Sequence, residues 1–561
     1  MVRSGYGPTG LLSMNDLLRS PLGPAIILLF ASALLRLIAS PRRALVLALL
    51  TLVPLGASIV LLMGLRSSGV AVRELTWWPL VTPPLRVLWA LDGWNWLGLT
   101  LLLIVGGSAV LLTWQLPGKR SGAYHGMSFA LLGAAALTMV SDNLLALSGA
   151  WVATDIVLLA RARGSRAQGN TAPVWLEVTG SLLMLLAIGI TSITVASTSL
   201  ATARLPTEAM VLLLVVAALR MAAYPLHLWL APSGSGRDRG TQILLNGVGL
   251  VTGGWLLGRV FVLGAGAWFS NPLWLPLLAL LTLAAGLAAW TSRERDHLAL
   301  LSSGRATWLW VMVALAPTAS ARDALGWAMT GVVLGLALLA VGQAITEEWR
   351  WRVPVALAAL TLAGLPLTAG MPARALVQPP HLALLLLLVV ADGLAVATVL
   401  ASWKISPPPA SAPPAPASQL RGLPINWPVV RLLTALGLVV VPNVLWGLQP
   451  TRLAVLAGFS SVLSLGDLLR QLGLLQFMAI VAALALGVGF YQLAQQPTSL
   501  FKQWQKRLAA AVGLGWLLAG LGWLLKWAEL VWRNALLVVE GEGYLGWVVL
   551  VLLLAVLVVQ P

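Results

Sequence analysis

Long apolar runs separated by short polar stretches dominate the chain, and this alternation predicts membrane-spanning helices. A helix needs about 20 mostly apolar residues to cross roughly 30 Å of hydrocarbon. Segments of that kind recur thirteen times before residue 404. They lie at about 24–40, 44–65, 93–115, 125–141, 143–160, 175–199, 208–230, 241–263, 271–291, 297–317, 323–344, 353–376 and 381–403. The pattern therefore predicts an all-α polytopic integral membrane protein.

A different kind of segment follows the thirteenth span. Residues 405–424 are rich in Pro, Ala and Ser, which predicts an extended linker and excludes a membrane helix. Beyond it we expect spans at 428–447 and 474–492, with a third candidate span at 453–469. A tryptophan-rich amphipathic stretch follows at 501–536, and a final span at 544–560. The total is then about 14–17 transmembrane helices. The first 20 residues are mixed and polar, so we expect no cleavable signal peptide.

Composition and charge agree with a membrane protein and exclude most other classes. Only 9% of the 561 residues are charged, against about 25% in a soluble domain, and 59% are hydrophobic. The net charge of +17 is spread between the apolar runs, which favours loops oriented at a membrane over a nucleic-acid-binding patch. Threading the spans places fifteen basic residues on one side and five on the other, which predicts an outward-facing N-terminus. Because the chain has no cysteine and four widely spaced histidines, we expect no metal site and no cofactor.

Two spans combine helix breakers with ionisable residues, which are costly inside a membrane. Their sequences are ALRMAAYPLHLWLAP (218–232) and LAGLPLTAGMPARAL (362–376), with candidate breaks at Pro225, Pro366 and Gly370. Interrupted segments at matching places in two halves indicate an inverted-repeat transporter. Here the breaks fall in the fourth helix of each five-helix block, 125–263 and 271–403, with residues 1–124 before the first block and 425–561 after the linker. The alternative is a plain helical bundle with incidental prolines.

The same residues carry a family resemblance. The stretch YPLHLWL (224–230) resembles the PLHxWLP element of the antiporter-like membrane subunits of respiratory complex I and of Mrp cation/proton antiporters. Arg220 occupies the place of that element's lysine, and Gly364–Pro366 with Gly370 and Arg374 resembles the GxPPxxGFxxK element. Shorter matches are similar to further family segments, in order along the chain: DGW (92–94), DNLL (142–145) and LSS (301–303). The chain is thereby identified as a divergent member of this family.

The resemblance implies a fold of fourteen or more helices with two inverted five-helix repeats. It also implies a relay of buried Lys, Glu and His residues that passes protons, and partner subunits that supply the coupling. The subunit itself would bind no redox cofactor. At most it would be a non-redox membrane subunit of an NADH:quinone oxidoreductase-type translocase, with no active site of its own.

Several relay positions depart from the family pattern. Val152 stands where the family has glutamate, Asn246 or Thr252 falls where it has lysine or histidine, and Arg220 and Arg374 replace lysines. Deprotonating lysine at pH 7 costs roughly 5 kcal/mol, whereas arginine, with a pKa above about 12.5, costs at least roughly 7–8 kcal/mol. The arginines are therefore poor proton carriers and good permanent cations.

Other ionisable residues inside spans offer compensation. Asp155 lies three residues after Val152 on nearly the same helical face, so it is a candidate partner of Arg220; pairing with Arg161 or Arg163 is the alternative. His227 is a candidate for proton transfer or for capping the helix break. Asp392 is an isolated carboxylate near a span centre, which favours a functional or paired role. For Arg259 and Arg305 we expect side chains that snorkel to the membrane surface.

Our functional hypothesis is a proton-translocating antiporter-like subunit of a complex I-like or Mrp-like assembly, with a degenerate relay. The alternatives are a non-conducting structural paralogue and the membrane partner of an inorganic-carbon uptake system. A membrane glycosyltransferase would need acidic residues in a large external loop, and the candidate loop 66–92 offers only Glu74 and Asp92. The expected partners are other membrane subunits, the lipid bilayer and protons or monovalent cations, in the inner (plasma) membrane of a prokaryote.

Overall fold

The structure is a computed structural model that describes most of the chain. The described residues are 14–37, 44–67, 69, 71–78, 85–113, 121–164, 172–194, 200, 205–227, 239–269, 271–292, 296–344, 353–402, 427–495, 499–513 and single positions between 520 and 534. The linker predicted at 405–424 and the span predicted at 544–560 lie outside them.

Helices occur at all thirteen places where apolar runs predicted a span before residue 404. The first eight spans correspond to α2 Gly23–Leu37, α3 Ala44–Ser67, α4 Gly93–Thr113, α5 Ser121–Val140, α6 Leu144–Gly164, α7 Ala172–Thr194, α8 Thr207–Met221 and α9 Arg239–Val260. A π-helical turn and short α10 Gly266–Phe269 come next, then α11 Trp274–Thr291, α12 His297–Leu315, α13 Ala321–Ala344, α14 Val353–Ala363, α15 Met371–Ala375 and α16 Leu382–Ala401. A short α1 Met14–Leu18 precedes them.

The helices after the linker differ in part from prediction. Helix α17 Trp427–Leu448 and helix α19 Leu465–Ala494 contain the spans predicted at 428–447 and 474–492. The candidate span at 453–469 is wrong, because α18 Pro450–Ala457 ends in a left-handed Gly458 and residues 458–464 are not helical. The part of α17 from Leu432 to Leu448 and helix α18 meet at an angle of 100°. This pair of helices forms either a broken span or a re-entrant loop.

The all-α prediction is confirmed, and the one feature of the described residues that it did not include is a short β-hairpin in the loop 66–92. Strands β1 Ala71–Trp78 and β2 Leu85–Leu91 form an antiparallel hairpin there, with Ala71 opposite Leu91 and a register shift between Thr76 and Trp78. Valine, leucine and tryptophan suit a pleated, half-buried surface. Both strands are shorter than a membrane span, so a search for long apolar runs does not detect them.

Buried central helices hold the two five-helix blocks together. Each block contains five helical segments, α5–α9 and α11–α16 with α14 and α15 counted as one, and in each the first segment packs on the last. Helices α4 and α13 contact each other and α9, and the apolar part of α13 is completely buried. In the part of the chain that the structure describes, nine helices are long and apolar enough to cross a membrane, or ten with the bent pair. The protein is a polytopic, predominantly helical membrane protein.

The C-terminal unit, Ser499–Pro561, is compact by itself. Its helix α20 Ser499–Val512 covers the beginning of the stretch 501–536 that was predicted to be amphipathic. Trp504, Lys506 and Arg507 are exposed on it.

Candidate functional site

The first interrupted span breaks directly after α8, as Pro225 predicted. Ala222 adopts a left-handed conformation with φ 54°, and the peptide bond between Tyr224 and Pro225 is cis. The side chain of His227 is buried and stacks on the Tyr224 ring at a centroid distance of 5.2 Å. We call residues Ala222–His227 the first break.

Arg220, two residues before the first break, is paired with a carboxylate inside the bundle. The Arg220 guanidinium contacts Asp155 of α6, and both side chains are about 95% buried. The Ser181 hydroxyl of α7 donates to Asp155 Oδ2, and the Trp151 ring lies 4.3 Å from Arg220 Cζ. Asp155 is about 16 Å along α6 from its first residue, near the middle of that helix. We call Asp155 and Arg220 the first cluster; one cation and one anion leave it neutral.

The second interrupted span breaks between α14 and α15. Gly364 and Leu367 have positive φ values of 80° and 71°, and Gly370 begins α15 as its N-cap residue. A proline removes the backbone donor that would bond the carbonyl four residues earlier, which for Pro366 is the carbonyl of Leu362. Arg305 Nη1 lies 3.4 Å from that carbonyl oxygen. We call residues Gly364–Gly370 the second break.

A side chain from α17 joins the two sides of the second break. Asn443 Nδ2 donates to Thr361 Oγ1 across 2.9 Å, and Asn443 Oδ1 accepts from the Ala369 backbone N–H across 3.2 Å. Asn443 is fully buried. Irregular backbone persists in a membrane only where protein or water satisfies its polar groups, and Asn443 does so here.

Arg374, four residues after the second break, belongs to a triad of charges. Arg305 Nη1 of α12 lies 2.7 Å from Asp392 Oδ1, and Arg374 of α15 contacts the other carboxylate oxygen, Oδ2. The Trp308 ring is 4.7 Å from Arg374 Cζ and 5.8 Å from Arg305 Cζ. Asp392 is about 15 Å along α16 from its start, so it also lies near the middle of its helix. We call Arg305, Arg374 and Asp392 the second cluster; its net charge is +1.

Helix α12 connects the first break to the second cluster. The backbone N–H of Tyr224 donates to Thr307 Oγ1 across 2.9 Å. Thr307 and Arg305 are two residues apart on α12. The first break and the second cluster therefore meet on one turn of a helix from the second block.

In α9, the two positions that match titratable residues of the resembled family hold the uncharged residues Asn246 and Thr252. Thr252 Oγ1 donates to the Val248 carbonyl of its own helix across 2.7 Å. Asn246 is buried, its Nδ2 has no hydrogen-bond partner among the described residues, and it lines a small cavity between α4, α9, α12 and α13. That cavity has room for about one water molecule, so Asn246 is the polar group that faces it.

A second cavity reaches the second cluster. Arg374 and Asp392 form its base, together with Gln378 and Gln476 as further polar lining, and Pro379 and Pro380 lie near the start of α16. Gln476 follows Gly473, where α19 departs from helical geometry with φ 61°. We call this cavity the Arg374 pocket.

Arg259 is buried in an ionic network, so the expectation that it snorkels is wrong. Arg259 Nη2 lies 2.7 Å from both Asp92 Oδ2 and Asn95 Oδ1. Burial raises the pKa of Asp142 between α5 and α6, and the Arg259 charge opposes that rise. The network joins the N-terminal end of α4 to the C-terminal end of α9. When successive spans cross the membrane in alternating directions, these two helix ends lie on the same side, so the contact agrees with the order of the spans.

The expectation that Arg305 snorkels is wrong for the same reason, since its side chain is 3% exposed and paired. Sequence reasoning also missed Ser181, Trp308 and Asn443, which complete the two sites. Trp308 follows Arg305 by three residues, the spacing of neighbours on one helix face, and that is the signal that was available.

Comparison with solved structures shows which known proteins share the fold of this chain. The sequence matches no protein-family profile, and none of the curated proteins is similar to it. A chain of the Mrp complex from Dietzia sp. DQ12-45-1b matches with a TM-score of 0.70 and 16% identity, over 96% of this chain and 63% of that chain. A chain of the membrane-bound sulfane sulfur reductase, an archaeal respiratory membrane complex, matches with a TM-score of 0.67 and 17% identity, over 97% of this chain and 100% of that chain.

The chain shares the fold of these two chains from membrane complexes. This confirms the resemblance seen in the sequence at the level of fold. The protein spans just under two thirds of the Mrp chain that it matches. The inverted relation of the two blocks stays an expectation from the resemblance.

Proposed function

We propose that the protein is an antiporter-like subunit of a multi-subunit membrane complex and that it passes protons through Asp155 and Asp392. Arg220, Arg305 and Arg374 act as fixed positive charges beside these carboxylates. Both structural neighbours come from membrane complexes, which supports the subunit role. The cellular location that fits this proposal is a prokaryotic inner membrane.

One repeated arrangement carries the proposal. In each block, the interrupted span presents an arginine close to its break, and that arginine contacts a carboxylate from another helix of the same block. Buried ionisable groups inside a membrane are costly and mark ion or proton pathways. The stability of a helical bundle does not require an arginine–carboxylate contact beside a helix break in both blocks.

Energetics selects the carboxylates as the groups that exchange protons. Neutralising arginine at pH 7 costs at least roughly 7–8 kcal/mol, because its pKa is above about 12.5. Protonating an aspartate with a pKa of about 3.9 costs roughly 4 kcal/mol at the same pH. A proton that reaches Asp155 or Asp392 therefore neutralises the carboxylate and releases its arginine partner.

Buried polar groups on α12 and α9 supply positions for water in this proposal. Ser302 and Ser303 of α12 are buried, and neither hydroxyl donates to a partner among the described residues. Asn246 lines a small cavity that Leu298 of α12 also lines. We propose that water at these groups carries protons through the largely apolar core.

The second candidate function is a non-conducting structural subunit. The absence of any lysine between Lys119 and Lys404 favours it, because lysine is the relay residue that the family resemblance implies. An inorganic-carbon uptake partner is a variant of either function. Co-purification of the tagged chain distinguishes the assemblies by the soluble subunits that accompany it.

Proton flux into vesicles tests the proposal. The full-length chain, with the subunits that co-purify, is reconstituted with a pH-sensitive dye and a potassium-diffusion potential. We expect Asp155→Asn and Asp392→Asn each to lower flux by about tenfold or more, the loss expected for a positioned proton-transfer group. Asp323→Asn is the matched control, because Asp323 is equally buried but binds Ser460 and Ser461 at a helix end.

The alternatives predict different results. Flux that persists in the Asp155→Asn/Asp392→Asn double variant would exclude these carboxylates as carriers. A wild-type preparation with its partners that shows no flux would support the structural subunit.

A further inference from the structure

The second cluster contains more positive charge than its carboxylate neutralises. Asp392 is the acidic side chain within ion-pair distance of Arg305 and of Arg374, and no other described acidic residue contacts either arginine. Both oxygens of Asp392 are occupied, one by each arginine. An uncompensated charge inside a protein is strongly unfavourable unless a counter-ion or hydrogen-bond partners accompany it.

The excess charge is accessible at Arg374. Its side chain is 15% exposed, whereas that of Arg305 is 3% exposed. Arg374 lines the Arg374 pocket, whereas Arg305 does not. In addition, Arg374 Nε is buried without a hydrogen-bond partner among the described residues, so the guanidinium retains an unused donor.

We propose that the Arg374 pocket binds a small monovalent inorganic anion, of which chloride is the test case. The anion neutralises the second cluster and accepts hydrogen bonds from the Arg374 guanidinium. Most of the pocket wall is apolar, formed by side chains such as Met312, Leu388 and Ile480. An apolar wall with one cationic donor group favours a small, weakly hydrated anion over a divalent one.

The volume of the Arg374 pocket and a comparison with the first cluster limit which ligands can bind and where. The pocket has a volume of about 30 Å³, room for about two water-sized groups, which matches a single small ion. The first cluster provides the internal contrast, since one arginine and one carboxylate already balance there. The anion site is therefore restricted to the second block.

This inference is separate from the proposed proton pathway, because anion binding at equilibrium requires no flux. A chain that binds chloride but does not conduct protons would refute only the proposed function. A chain that conducts protons but does not bind chloride would refute only the anion site.

Binding of radioactive chloride to the purified full-length chain tests the site. The protein is immobilised in detergent and titrated in gluconate buffer, with scintillation proximity as the readout. We expect saturable binding of one chloride per chain. Arg374→Gln removes the donor and should weaken binding by at least about tenfold, whereas Asp392→Asn raises the local charge and should tighten it by a similar factor.

Asp155→Asn/Arg220→Gln is the matched control, because it removes a buried arginine together with its carboxylate and leaves the second cluster unchanged; it should leave chloride binding within about twofold of wild type. Asp392→Asn keeps the proposal testable if Arg374→Gln fails to fold, because a gain of affinity cannot arise from misfolding. The absence of saturable binding, an unchanged affinity in folded Arg374→Gln, or weaker binding in Asp392→Asn would overturn the proposal. Displacement of chloride by phosphatidylglycerol would assign the pocket to a lipid headgroup and would also overturn it.

Discussion

The backbone N–H of Tyr224, in the first break, donates a hydrogen bond to Thr307 Oγ1 of α12 across 2.9 Å. This contact joins the two blocks at the place where one has lost its regular helical hydrogen bonds. Arg305, two residues earlier on α12, holds Asp392 of the second cluster. Displacement of α12 therefore affects the first break and the second cluster together.

Removing that hydroxyl should destabilise the protein at the first break. Thr307→Val leaves the Tyr224 N–H without its acceptor, which we expect to lower the free energy of unfolding by about 1–3 kcal/mol. SDS-induced unfolding in mixed micelles measures the change. Thr330→Val is the control, because the buried Thr330 hydroxyl donates to the Gly326 carbonyl of its own helix and to no other segment that the structure describes. Equal effects of the two substitutions would show that the contact between Tyr224 and Thr307 has no special role.

Gly364 is required at the second break for two reasons. Its φ of 80° disfavours any side chain, and a Cβ there would lie 2.8 Å from Arg374 Cγ. We expect Gly364→Ala to cost about 1–3 kcal/mol of stability and to displace Arg374 from Asp392. The same unfolding assay measures the cost. Gly437→Ala is the control in α17, where a Cβ meets nothing within 4 Å; it should stabilise the helix by about 0.5–1 kcal/mol. A neutral Gly364→Ala would contradict the described geometry.

The first cluster should behave as a coupled pair. Asp155→Asn and Arg220→Gln each leave one buried charge without its partner, which we expect to cost about 3–5 kcal/mol. The double variant removes both charges and should recover a large part of that loss, as a double-mutant cycle reports. The exposed pair Asp467 and Arg470, 4.0 Å apart, is the comparison and should show coupling below about 1 kcal/mol. Strict additivity at Asp155 and Arg220 would show that they do not interact.

Sequence reasoning located the spans and both breaks because these depend on local properties. The length of an apolar run is fixed by bilayer thickness, and Pro225 and Pro366 each remove a backbone donor and so favour a break. Proline alone does not decide the outcome, because Pro54 and Pro442 lie inside the continuous helices α3 and α17. The partnership of Asp155 with Arg220 followed from helical spacing after Val152, although the alternative partners stayed open.

The parts that failed depend on packing between distant segments. Whether Arg305 meets lipid or protein is decided by where α12 lies against α14 and α16, which its own sequence does not encode. Arg259 was misjudged for the same reason, since Asp92 lies in a remote segment. The hairpin at 71–91 was missed because its strands are too short for a search for long apolar runs.

The most direct test of the central claim is whether Asp155 and Asp392 take up protons. Infrared difference spectroscopy of the reconstituted protein, recorded between high and low pH, detects the carbonyl stretch of a protonated carboxyl group. We predict such a band in the wild type, a smaller band in Asp155→Asn and in Asp392→Asn, and an unchanged band in Asp323→Asn. A wild-type spectrum whose band is unaffected by Asp155→Asn and Asp392→Asn together would contradict the account.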